Sequence, residues 1–300
     1  MMIEEKTVEG FRIKVVSIGD MLVGVACDIG PRILYLASAK KPELNLFGIL
    51  PNAGVETSEG FWKIYGGHRL WSSPEAKPRS YSLDDQPVKI DVGEDYLTVY
   101  GSPEEKNSIQ KEITIKAGPD SSVQVIHRIK NIGRWPIKMA CWAISVMRRN
   151  GFAIIPIEPA KVDAEGLLPD RHIALWPYTD ISDERLMFTG EYIFVKQDPK
   201  AKRPLKIGVN ANPNWAAYWV EGLLFLKQLQ VEKGEYPDFG SNVEVYTNPE
   251  MLELESLGSL KVVDPSSVIE HVETWRVFNV GRIRMKSENV KEKIEPLIKA

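Results

Sequence analysis

The chain is poor in the residues that most enzyme motifs are built from. Two cysteines and four histidines are spread over 300 residues. Cys27 and Cys141 lie in the apolar runs "VGVACDIG" and "IKMACWAISVM", without metal-ligand spacing, and read as packed free thiols. There is no His-Glu-x-x-His, no Gly-x-Ser-x-Gly, no phosphate loop and no dinucleotide fingerprint, which excludes the zinc-protease, serine-hydrolase and nucleotide-cofactor classes those motifs define. The acidic residues from Asp180 to Asp183 do not follow calcium-loop spacing. No cofactor is expected and no metal ligands are assigned, a bound metal staying open. Charge of one sign is lacking too: 38 basic against 41 acidic residues give a net charge of -3, with no long basic run, so nucleic acid is not an expected partner. No stretch approaches the roughly 18 apolar residues that cross a bilayer, and "MMIEEKTVEGF" is not a signal peptide, so no membrane partner and a cytoplasmic location are expected. Abundant Lys and Glu, with Pro in the connections, point to a thermophile.

What the chain does have is strands. Runs such as "FRIKVVSI", "SVQVIHRIKN", "LKIGVN" and "HVETWRVFNV" recur along its length, rich in β-branched and aromatic residues and separated by Gly, Pro, Asn or Asp. This is an all-β pattern of antiparallel strands joined by turns. There are more runs than one small sandwich holds, leaving two β domains or one very large two-sheet sandwich, and no linker divides the chain. Helical spacing is confined to the end, where Ser287 is placed to cap a segment carrying Val290, Ile294, Leu297 and Ile298, interrupted by Pro296.

Polar chemistry collects in four places. In "YGGHRLWSSPE" (65–75), Gly66 and Gly67 permit a sharp turn or close approach. If the residues after them are extended, Arg69 and Trp71 share a face and His68 points the other way. In "LPDRHIALWPYTDISDERL", His172, Trp176 and Tyr178 combine rings with polar groups, as a sugar site requires, but Asp170, Arg171, Asp183 and Arg185 equally suit a salt-bridged loop. In "FGSNVEVYTNPEMLELESLG", alternation puts Leu252 and Leu254 on one face and Glu253 and Glu255 on the other, with Glu244 in the preceding strand. His127 falls in phase with Val123, Val125 and Ile129 and reads as a hydrogen-bonded core histidine, and His271 carries no motif.

Taken in order, "YGGHRLWSSPE", "HRIKNIGRWPIKMACWAISVM" and the closing "LKVVDPSSVIEHVETWRVF" resemble the galactose mutarotase-like superfamily, which includes the aldose 1-epimerases. The resemblance implies one large β-supersandwich over residues 1–285, a helical tail over 286–300, and a small-molecule sugar or oligosaccharide as partner; nothing specifies an oligomer. It also implies chemistry in which a glutamate takes the anomeric proton and a histidine protonates the ring oxygen. The chain departs from that pattern. Tyr65 stands where the family's substrate-binding histidine precedes its Gly-Gly turn, and Cys141 and Trp142 stand where its acid histidine lies. Glu255 matches the context of the catalytic glutamate, with Glu253 or Glu244 as alternatives. Two functions stay open: an epimerase with a rearranged site, using Glu255 as base and His68 or His172 as acid, or a non-catalytic carbohydrate-binding protein. In either case Arg69, Trp71, Glu75, Trp176, Tyr178, Glu244 and Glu253 are the expected binding residues.

Overall fold

The computed structural model describes residues 3–160 and 162–299. Among them, an 11-stranded and a 10-stranded sheet face each other, and every strand pair within them is antiparallel. The first sheet runs in the order Ile3–Val8, Phe11–Ile18, Met21–Ala26, Arg32–Ser38, His68–Ser73, Ile137–Met147, Leu252–Leu257, Val243–Thr247, Leu205–Val209 and Ile173–Leu175, with Lys261–Val263 also pairing with Ile137–Met147. The second has Val268–Asn279 near its centre, between Leu223–Leu229 and Val123–Asn131. This is the mainly antiparallel sandwich expected from the run pattern. Among the described residues, no helix is long and apolar enough to cross a membrane.

One large apolar cluster fills the space between the sheets, drawing on Ile33, Leu36, Val125, Ile129, Phe225, Leu252, Leu254 and Trp275. Burial of each such side chain contributes about 1.5–3 kcal/mol. Strand alternation decides which residues reach it. In Leu252–Leu257, Leu252 and Leu254 point into the core and Glu253 and Glu255 leave by the opposite face. That opposite face is covered too, which is why every residue of the strand is buried.

The turn in "YGGHRL" makes this possible. Gly66 and Gly67 have φ of +89° and +67°, and a Cβ would come within 2.1 Å of the Gly48 carbonyl oxygen at the first and 2.3 Å of the Ile33 carbonyl oxygen at the second. The turn sends the two-stranded hairpin Ile49–Thr57/Gly60–Gly66 away from the sheet, over the outer face of its central strands.

At the C-terminus, Ser287–Lys293 and Glu295–Lys299 are short helices. Ile283, Val290 and Ile294 pack on Phe152, Phe194 and Leu224, on the outer side of the second sheet. Ser287 is not the cap: it lies inside the first turn, and its hydroxyl bonds to Thr189 Oγ1 instead. Pro296 falls in the first turn of the second helix, where its missing N–H costs nothing.

Candidate functional site

The outer face of the first sheet is built row by row from its register. Arg69, Ile144, Glu255, Glu244 and Gly208 stand side by side across five strands. Trp71, Trp142 and Leu257 form the row on one side, and Val146, Glu253, Tyr246 and Lys206 the row on the other. With the hairpin residues Trp62 and Ile64, Glu75 and Tyr81 from the segment after His68–Ser73, and Trp176 and Tyr178 from the loop after Ile173–Leu175, these rows enclose a cleft of about 460 Å³.

Its floor is charged and its walls are aromatic. Arg69 Nη2 donates to Glu253 Oε1 at 2.9 Å, and its guanidinium lies 4.7 Å from the Trp71 ring centre and 5.5 Å from that of Trp62. Arg69 Nε and Nη1 are buried without a hydrogen-bond partner among the described residues. Lys206 Nζ lies 2.7 Å from Glu244 and 3.0 Å from Glu255, between the rings of Trp142 and Trp176 at 4.5 and 4.6 Å. Trp142 Nε1 donates to Glu255 Oε2 at 2.8 Å. At the rim, the Tyr81 hydroxyl donates to the Glu75 carboxylate, and Tyr178 meets Tyr246 edge-on.

Two carboxylates sharing one ammonium away from water cannot both ionise cheaply. Burial pushes Glu244 well above the usual carboxylate range, and the neighbouring Glu255 adds to this while Lys206 opposes it. Burial raises Glu255 as well, again against Lys206. Burial works against the Lys206 ammonium, but Glu255 and Glu244 outweigh it and hold the lysine protonated. Burial thus disfavours ionisation of both glutamates while the lysine keeps its charge, and the three groups titrate as one coupled unit.

The sequence-predicted residues divide sharply. Arg69, Trp71, Glu75, Trp176, Tyr178, Glu253 and Glu255 line the cleft. Glu244 does not reach it: fully buried behind Glu255, it acts on the cleft only through Lys206. Neither histidine expected as the acid is there. Strand alternation turns His68 into the core, where Nδ1 lies 2.7 Å from Ser145 Oγ and Nε2 lies 2.6 Å from His127 Nε2. His172 packs beside the turn at Gly240, its backbone N–H held by Asn210, outside the cleft lining. Asp170 with Arg171 and Asp183 with Arg185 form ion pairs within their loops. The cleft also contains Trp62, Tyr81, Trp142, Lys206 and Tyr246, which the motifs did not single out. The signal for Lys206 was a lysine in the middle of the apolar run "LKIGVN", whose neighbours Leu205 and Ile207 face the core.

Among the described residues, the nitrogens of His68 and His127 and an oxygen of Glu273 lie within 4.8 Å of one another, an arrangement able to take a metal ion. Its charge is already met internally. Lys227 Nζ lies 3.0 Å from Glu273 Oε1, and Trp275 Nε1 donates to Oε2 at 2.6 Å. The bonding fixes the tautomers as well. His127 Nδ1–H donates to the His271 carbonyl, so His127 Nε2 accepts from His68 Nε2–H. Ser256 donates to Glu273, so it accepts from His271 Nε2–H. All three histidines are satisfied as neutral rings.

No protein-family model matches the sequence, and no curated protein matches it. Among solved structures, the chain is similar to a galactose mutarotase-like protein from Lactobacillus casei, with a TM-score of 0.52 at 8% identity, covering 89% of this chain and 100% of that one. A galactose mutarotase-like protein from Clostridium acetobutylicum gives a TM-score of 0.50 at 11% identity over 93% and 98% of the two chains. A TPR-domain containing protein from Parabacteroides distasonis gives 0.59 at 12% identity over 92% of this chain, which spans about half, 48%, of that one. The chain thus has the antiparallel β-sandwich fold of galactose mutarotase-like proteins.

Proposed function

We propose that the protein binds a carbohydrate in the cleft on the outer face of its first sheet. The observation that carries this reading is the pairing of aromatic walls with a hydrogen-bonding floor. The C–H faces of a sugar ring stack on the Trp and Tyr faces, while its hydroxyls need fixed planar donors and acceptors. Arg69 offers two buried N–H-bearing nitrogens without partners among the described residues, and Glu253 and Glu255 offer carboxylate oxygens in the same cleft. Leaving such groups unpaired costs about 1–3 kcal/mol each, which a ligand hydroxyl recovers. Titration of the protein calorimetrically against a panel of free hexoses, pentoses and hexose phosphates tests the reading. Saturable heat with a neutral sugar supports it, and no heat across the panel contradicts it.

A second reading, interconversion of sugar anomers, is favoured by one observation: a carboxylate and an ammonium, Glu255 and Lys206, stand 3.0 Å apart and both line the cleft. Without a histidine in the cleft, Glu255 and Lys206 are the groups placed to pass a proton to and from a bound ring. Exchange spectroscopy on α and β glucose and galactose separates the readings. Accelerated exchange that is lost in Glu255→Gln makes the protein an isomerase, whereas binding without acceleration makes it a binding protein.

A further inference from the structure

Tyr178 and Pro204 form part of one side of the cleft. On their far side lies a second depression of about 500 Å³, and these two residues line both. The wall between the two is fixed. The Thr179 hydroxyl donates to the Lys206 carbonyl at 2.6 Å and accepts the Lys206 N–H at 3.0 Å, tying the loop that carries Tyr178 to the strand that carries Lys206. The floor of the second depression is fixed as well. Arg185, only 4% exposed, donates from Nε and Nη2 to the two carboxylate oxygens of Asp183 and from Nη2 to the Arg203 carbonyl. Its Nη1 is buried without a partner among the described residues. Four acidic and four basic side chains line this depression, so it presents many hydrogen-bonding groups and no net charge to attract an anion.

Resting on the carbohydrate reading above, we infer that the ligand is a chain of at least two sugar units. One ring occupies the aromatic cleft, the linkage crosses the ridge at Tyr178 and Pro204, and the next unit lies in the polar depression over Arg185, Lys202 and Arg203. Chemistry divides the subsites accordingly. The cleft has rings for stacking and the depression has almost none, so the first unit supplies most of the affinity and the later units are held through their hydroxyls. The preformed walls spare the ordering cost that a mobile groove would impose on a long ligand.

The test is calorimetric titration with glucose, and with α-1,4- and β-1,4-linked glucose oligomers of two to four units, against the wild-type protein and Arg203→Ala and Lys202→Ala. These two side chains are exposed and make no contact in the aromatic cleft. The expected result is that one oligomer series binds about tenfold or more tighter than the monomer. The two variants remove that gain and leave monomer affinity unchanged. Equal affinity from one unit to four overturns the inference while leaving the carbohydrate reading intact. A length-dependent gain that survives in both variants overturns the placement of the second unit. Failure of every sugar to bind overturns the carbohydrate reading and this inference with it.

Discussion

Glu244 and Glu255 stand directly opposite each other on neighbouring strands, and a single ammonium, Lys206 Nζ, serves both at 2.7 and 3.0 Å. Trp142 Nε1 binds the same Glu255 oxygen as the lysine does. The cleft floor is therefore one coupled proton-sharing unit, and its members respond to substitution together.

Removing the ammonium leaves the buried glutamate pair without its partner charge. Lys206→Met is expected to cost about 3–5 kcal/mol, the usual penalty for breaking a buried pair from one side. The triple variant with Glu244→Gln and Glu255→Gln is expected to recover most of that. Urea unfolding midpoints measure both, and a Lys206→Met protein as stable as wild type would show that the two glutamates do not depend on a shared ammonium.

Glu244 gives the unit a pH signature. Its folded pKa lies above the ordinary 4.5, so the folded state holds a proton that the unfolded chain has released, and stability falls as pH rises from about 4.5 through the folded value. Glu244→Gln keeps the neutral form at all pH values. Its unfolding free energy is expected to lose less between pH 5 and 9 than that of wild type, by roughly 1.4 kcal/mol for each pH unit the folded pKa is raised. Parallel pH profiles for the two proteins would contradict this.

The buried histidines act in the other direction. Burial lowers His271 to about 3 and also lowers His127 and His68, so these rings stay neutral in the fold while the unfolded chain takes up protons below 6.5. Stability from this source is complete above about pH 6.5 and declines as pH falls toward the folded values, by roughly 1.4 kcal/mol per pH unit per histidine. His271→Gln, which retains a donor toward Ser256, is expected to reduce the proton uptake on acid unfolding by about one. Unchanged uptake would show that His271 does not titrate in this way.

The aromatic walls are expected to carry affinity. Trp176 is half-buried beside Lys206, and Trp176→Ala is expected to weaken sugar binding about tenfold or more, the equivalent of 1.4 kcal/mol. Removing this partly exposed ring should leave the thermal midpoint within a few degrees of wild type. An affinity within twofold of wild type would take the ring out of the site.

Much of this arrangement is legible in the sequence wherever period-two alternation governs it. The Leu252/Leu254 and Glu253/Glu255 split, the opposition of His68 to Arg69 and the core placement of His127 all come from the direction of successive side chains on a strand. Family resemblance draws attention to His68 and His172 as acids, and alternation alone argues against His68. Register across strands is not legible. Nothing local in "LKIGVN" says that Lys206 stands beside Tyr246 with its ammonium between Glu244 and Glu255, because that depends on pairing between segments far apart in sequence. Trp62 is hidden for a similar reason: the left-handed turn at Gly66 and Gly67 lays its hairpin over the cleft, and the glycines mark the turn but not what it covers.

The most direct measurement is a crystal structure of the protein grown with saturating glucose or galactose. Carbohydrate binding at this site predicts a pyranose in the cleft, one face on an aromatic wall that includes Trp176, with hydroxyls on Arg69 Nε or Nη1 and on Glu253 or Glu255. A cleft empty of sugar at saturating concentration, or a sugar bound only on another face of the sandwich, would contradict it.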